Sequence, residues 1–291
     1  MIAAASRTPG FWDWSLDPPL VLVADLVLLY WLGSRRTVTP ARTAAAQRRR
    51  SGAFYAAMAV LAIALASPLE KLSDQLFWAH MVQHVLLMLV AAPLVVLARP
   101  WIRLWRSLPL AGRRRLARAF LYGRRAAPLR ALSAMLGTPV AGLAAFIAVL
   151  FAWHVPGLFD ATLANGSLHA LEHTLFFLAA VLLFKQVISS PPLRSTLNDA
   201  QRLLYTVAAM TASWVLAVVL AIAPTPLYAH YAQLTSRPGG ISALADQQLA
   251  AGIMWVPGSI TFLVVIFVYV HRWLAPQTAA AGAAPRLAGG H

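Results

Sequence analysis

Seven runs of apolar residues divide the chain, separated by stretches in which proline, glycine or arginine gather. They cover Pro18 to Gly33, Ala53 to Ser67, Gln75 to Leu97, Gly137 to Val155, Leu168 to Ile188, Arg202 to Ala223 and Gln248 to His271. A helix needs roughly 20 apolar residues to cross the hydrocarbon of a bilayer, and shorter runs need thinning or flanking anchors. The pattern therefore predicts an all-α, polytopic membrane protein: a seven-transmembrane-helix bundle forming a single domain over residues 1–275. Residues 276–291 are rich in alanine and glycine, and a flexible tail is expected there. The N-terminal stretch MIAAASRTPGFWDWSLDPP has no basic region followed by an apolar one, so no cleavable signal peptide is expected.

Composition agrees with the pattern. Hydrophobic residues make up 60% of the chain and charged ones 11%, against about 25% charged in a soluble domain. The formal charge of +15 would point to nucleic acid in a soluble protein, but the positions of the basic residues give it another meaning. Of the 24 lysines and arginines, 21 fall on one side of the predicted spans, in the segments after spans one, three, five and seven. Only Arg7, Lys71 and Arg237 fall on the other. Basic residues are retained in the cytoplasm, so the N-terminus is expected outside and the C-terminus inside. No nucleic-acid partner is expected. The stretch Trp101 to Tyr122, with tryptophan, leucine and arginine interleaved, is expected on the inner leaflet against anionic lipid.

This orientation places six of the eight histidines in the outer half of the molecule. His80 and His84 sit four residues apart in span three, and Met88 follows on the same helical face. His169 and His173 repeat the spacing at the start of span five, and His154 closes span four. Random placement of the histidines would give roughly 0.2 pairs at this spacing, so two pairs point to one shared site. Ionisable groups at membrane depth are costly and usually face a cavity, a partner or a bound ion. Imidazole with optional thioether suits copper, zinc or haem iron, and thioether shifts the balance toward copper(I). Candidate metal ligands are therefore His80, His84, His154, His169, His173, Met88 and Met254. Glu172, Asp246 and Gln247 are expected behind them, orienting the imidazoles.

Other readings compete. HALEH, from His169 to His173, matches the H-x-x-E-H pattern of zinc hydrolases, with Glu172 as general base. Two histidine pairs on separate helices would also suit bis-histidine haem and electron transfer. A secondary transporter lacks support, because no inverted repeat is visible. Span seven carries no lysine, which excludes a retinal Schiff base. There is no cysteine, so thiolate ligands, thiol nucleophiles and disulfides are excluded. Asp25, in the middle of span one, is expected to accept hydrogen bonds from a neighbouring helix. Pro257 is expected to kink span seven.

Four stretches, MVQHVLLMLVAAPLVVL, WHVPGLFDATL, LHALEHTLFFL and DQQLAAGIMWVPGSI, occur in this order across spans three, four, five and seven. Together they resemble the membrane-type CtaG family of cytochrome c oxidase assembly factors, associated with caa-type oxidases. The resemblance implies a non-enzymatic, multi-pass protein of the bacterial plasma membrane that supports copper insertion into the oxidase. The partner would be the oxidase subunit that accepts the copper, and the site would face the extracytoplasmic side. The family's polar signature falls on His80, His84, His154, His169, Glu172, His173, Asp246 and Gln247. An unrelated single-span, cysteine-bearing copper chaperone shares the family's name, and the absence of cysteine here fits the separation.

Overall fold

The computed structural model describes residues 10, 12–14, 18–37, 39–188 and 195–282, with 275–282 as backbone only. Every element in it is helical. Most of the stretch read for a signal peptide (residues 1–9, 11 and 15–17) lies outside the described residues, as do residues 283–291 of the expected tail.

Helix α1 (Pro18–Arg35) starts on two prolines, whose missing N–H groups fall where a helix has no acceptor to offer. Helix α2 (Ala44–Ala66) is longer than the expected second span, so Arg48, Arg49 and Arg50 lie on the helix and not in a loop. Ser67 then caps the short α3 (Pro68–Ser73), its Oγ accepting the Leu69 N–H at 3.2 Å. Helix α4 (Phe77–Ala98) is the centre of the bundle: its side chains enter both apolar cores, and 67% of its apolar window is buried. One core joins Phe77, Met81 and Val96 to Phe146, Phe176, Phe184 and Phe262. The other joins Leu87 and Val95 to Val23, Tyr30, Phe54 and Leu61.

Halfway along α4 the winding loosens into a π-helical turn, Leu86–Ala91. Pro93 lacks an N–H, which leaves the Leu89 carbonyl four residues earlier without its helical donor. The hydroxyl of Thr261, 172 residues away, donates to that carbonyl at 2.5 Å. A local sequence window has no access to such a partner, so the π turn is absent from the sequence reading.

Four short elements follow: α5 (Trp101–Ser107), α6 (Leu110–Tyr122), α7 (Ala127–Leu136) and α8 (Pro139–Trp153). Gly33 lets α1 meet α5 backbone to backbone, since a Cβ there would stand 1.8 Å from the Arg103 carbonyl oxygen. Arg103 donates to Tyr30 Oη at 3.0 Å and Ser51 Oγ at 2.7 Å, tying α1, α2 and α5 together. Helix α8 corrects the expected fourth span. Its 15 residues reach only about 22 Å at 1.5 Å per residue. Pro139 holds Thr138 extended, and the Arg124–Leu136 segment meets α8 at 89°. Among the described residues, six helices are thus long and apolar enough to cross a membrane, or seven if this bent pair counts as one span.

After α9 (Pro156–Ala164), the chain forms α10 (Gly166–Val187) and α11 (Asp199–Ile222). A short α12 (Ala229–Ala232) leads to α13 (Ala243–Gly282), which continues unbroken through Pro257 and past the expected end of span seven. Large apolar side chains such as Leu204, Ile222, Val256 and Phe267 are exposed on α11 and α13, the surface a multi-pass membrane protein presents to lipid. Asp25 departs from expectation. It is exposed on α1 and makes no hydrogen bond or ion pair among the described residues, because its face of α1 meets no neighbouring helix.

Candidate metal centre

Two helices bring most of the histidines together. Successive turns of α4 aim His80 and His84 at the first turns of α10, where Asn165 fixes the start of the helix. The Asn165 side chain accepts the Ser167 and Leu168 N–H groups at 2.9 and 3.1 Å. The start of α4 is fixed from α13: Asp246 accepts the backbone N–H groups of Phe77 and Trp78, both at 2.9 Å. Its two oxygens thus take N–H groups that the first turn of a helix cannot pair.

Between these anchored ends, His80, His84, Glu172 and His173 offer ligand atoms that all lie within 4.8 Å of one another, and all four residues are buried. The Nε2 atoms of His80 and His84 are 3.0 Å apart. Glu172 Oε2 lies 3.7 Å from His80 Nε2, and Glu172 Oε1 lies 3.6 Å from His84 Nε2. These spacings bracket the roughly 3.3 Å between donors that share a tetrahedral ion with bonds near 2.0 Å. The His173 ring stands 5.3 Å from that of His84 and 5.6 Å from that of His80, centroid to centroid.

Buried polar atoms are normally hydrogen-bonded. Here, among the described residues, His84 Nδ1, His173 Nε2 and both oxygens of Glu172 are buried without a hydrogen-bond partner, as are His154 Nε2 and His169 Nε2. So many orphaned donors and acceptors in one place fit a site built around an ion.

Two hydrogen bonds set which ring nitrogens carry lone pairs. Burial, together with the carboxylates of Asp246, Asp74 and Glu172, holds the Tyr231 phenol well above its usual pKa. It keeps its proton and donates it to the Ser73 carbonyl at 2.6 Å. Its oxygen then accepts from His80 Nδ1 at 3.3 Å, which leaves the lone pair on His80 Nε2, facing the cluster. His154 Nδ1 donates to the Leu150 carbonyl at 2.7 Å, so its Nε2 is likewise the basic nitrogen.

The remaining residues singled out from sequence take separate places. His169 stacks near His173, with ring centroids 4.2 Å apart, and its Nδ1 lies 3.8 Å from Glu70. His154 lies one step out, its ring 6.1 Å from that of His84. Met88 and Met254 line a small cavity below His84, apart from the His/Glu group. Glu172, expected behind the ligands, stands among them. The partners of Gln247 are the Leu227 N–H at 2.7 Å and the Leu220 carbonyl at 3.0 Å, which join α11, α13 and the segment before α12.

Several neighbours were not foreseen. Glu70 accepts from Gln83 Nε2 at 2.5 Å and borders His169. Asp160 accepts the Ala229 and His230 N–H groups and so seats α12 over the cluster. Tyr228 donates to the His154 carbonyl at 3.2 Å. The paired tyrosines of PTPLYAHYAQ were the available signal, since a tyrosine over a buried polar group commonly bonds to it.

No curated protein and no solved structure matches the chain at a significant level. The model of the Caa3_CtaG family, described as cytochrome c oxidase caa3 assembly factor, matches residues 28–275. That stretch holds every residue of the buried cluster and all six of the long apolar helices, apart from the first ten residues of α1 and the last seven of α13. The chain is a multi-pass membrane protein that belongs to the Caa3_CtaG family of cytochrome c oxidase assembly factors.

Proposed function

We propose that this assembly factor binds copper in the His80, His84, Glu172 and His173 cluster and supports its insertion into the oxidase subunit that accepts it. The observation that carries the reading is that four buried residues offer ligand atoms within 4.8 Å of one another, with both Glu172 oxygens and His173 Nε2 left without a hydrogen-bond partner among the described residues. Membership of an assembly-factor family supplies the partner, since such a factor must meet cytochrome c oxidase. The distribution of arginines supports an N-out, C-in orientation in a bacterial plasma membrane, with the cluster near the extracytoplasmic surface.

The donors suit copper or zinc, and the neighbouring thioethers favour copper. Haem fits poorly: the histidine rings of α4 and α10 are 5.0 to 5.6 Å apart, which leaves no slot for a macrocycle between them. A hydrolase using HALEH is disfavoured too, because Glu172 is shared between two histidines of α4 and the adjoining cavity measures about 30 Å³.

Metal analysis of the detergent-purified protein tests the reading. At least one copper per chain is expected in the wild type, with strong loss in His84→Ala and in His173→Ala. Full copper occupancy in both variants, with normal maturation of the oxidase, would overturn it.

A further inference from the structure

Just below the His/Glu group, four helices close around a cavity of about 30 Å³. Helix α4 lines it with Met81, His84 and Met88, a stripe spaced three and four residues apart. Met254 comes from α13 and His154 from the end of α8. All five residues are buried.

Methionine is a common gap filler in apolar cores, but here the gap is left open. Three of the chain's seven methionines border one space that they do not fill. That volume exceeds the ~10–15 Å³ needed for one water-sized occupant. His154 adds an imidazole whose Nδ1 is committed to the Leu150 carbonyl and whose Nε2 is buried without a partner.

We infer that Met81, Met88, Met254 and His154 form a second metal position, thioether-rich and selective for a soft monovalent ion, namely copper(I). Thioether and imidazole donors suit copper(I), whereas the harder His/Glu group above also accepts zinc(II). His84 belongs to both groups of residues, so the two positions adjoin. The inference rests on the His/Glu reading for its role in handing copper on, but its donor set stands separately.

The test titrates detergent-purified full-length protein with silver(I), a redox-inert stand-in for copper(I), and separately with zinc(II). Methionine-to-leucine changes nearly conserve volume and are tolerated by cores, so the triple variant M81L/M88L/M254L is the probe. Its silver(I) affinity is expected to fall at least about tenfold, with zinc(II) affinity unchanged. X-ray absorption of the copper(I)-loaded wild type should show sulfur neighbours that the variant lacks. Should the triple variant not fold, Met254→Leu alone is expected to lose part of the sulfur signal. Wild-type silver(I) affinity in the variant, or a copper(I) spectrum with nitrogen and oxygen neighbours only, overturns the inference. Failure of the His/Glu reading looks different, because zinc(II) would then not bind the wild type.

Discussion

The two ends of α4 treat polar side chains in opposite ways. At its N-terminal end, imidazoles and a carboxylate are buried and short of partners. Past its C-terminal end, α6 and α7 carry arginines and bury no residue at all. Most arginines there are exposed, and Arg130 bonds locally to the Phe120 and Gly123 carbonyls at 2.7 and 2.9 Å; Arg113 is the exception, half-buried with its Nε unpartnered among the described residues. Exposed charges are solvated and change stability little. An unsatisfied buried polar group costs on the order of 1–3 kcal/mol, and several of them persist together only where something outside the chain completes them. The difference sets the proposed binding end against a candidate anchoring end, and each substitution below acts on one of them.

Glu172→Gln should have the largest effect. It removes the only carboxylate of the four-residue group, and metal affinity is expected to fall about 100-fold or more. Neither carboxylate oxygen has a hydrogen-bond donor in good geometry among the described residues, so the melting temperature measured without added metal should drop little. Calorimetric titration with zinc(II) beside a melting curve checks both halves. A lower melting temperature with intact affinity would make Glu172 a packing element of α10.

Asp246→Ala should reverse that pattern. Losing an N-cap acceptor costs about 1–2 kcal/mol, and Asp246 serves two N–H groups of α4. Melting temperature is expected to fall clearly, and metal affinity only about tenfold through a less ordered α4. Asp246→Asn should restore part of the stability. If Asp246→Ala abolished metal binding without changing the melting temperature, Asp246 would have to act on the ion itself.

Tyr231→Phe is expected to do less still. It deletes the bonds to Ser73 and His80, each worth about 1 kcal/mol. The His80 ring then loses the partner that fixes its lone pair on Nε2. A severalfold loss of affinity is expected, with imidazole ¹⁵N shifts reporting a mixture of tautomers; unchanged shifts would assign that role to another group.

What the sequence made legible follows the range of each interaction. The pairs His80/His84 and His169/His173 are visible because one helical turn relates them, and both survive as faces of α4 and α10. The long helices are visible because lipid requires continuous apolar runs. Interactions that depend on distant chain were not. Pro93 marks a disturbance in α4, but the donor that serves the Leu89 carbonyl within its π-helical turn is Thr261, distant in sequence. Asp246 reads as a polar residue near a site, yet its function as a cap depends on where α4 begins. Met81 is one apolar residue among many until α13 and the end of α8 close the cavity beside it. The expected fourth span is legible only in part: Pro139 and Pro156 bound a helix too short to cross alone, and it counts as a span only together with the bent segment before it.

The anchoring end should give the smallest change at the metal and a distinct one at the membrane. Arg114, Arg115 and Arg118 are exposed on α6, beside the exposed Leu116, Phe120 and Leu121. A basic side chain near an anionic leaflet contributes about 1 kcal/mol, so changing all three to glutamine should reduce the anionic lipid that copurifies with the protein. Native mass spectrometry reads that loss, and zinc(II) titration should be unaltered. Neither group of residues touches the other, so their effects should add within about 0.5 kcal/mol. A triple variant that also weakened metal binding would mean that strain at the arginine end travels along α4, whose π-helical turn lies between the two.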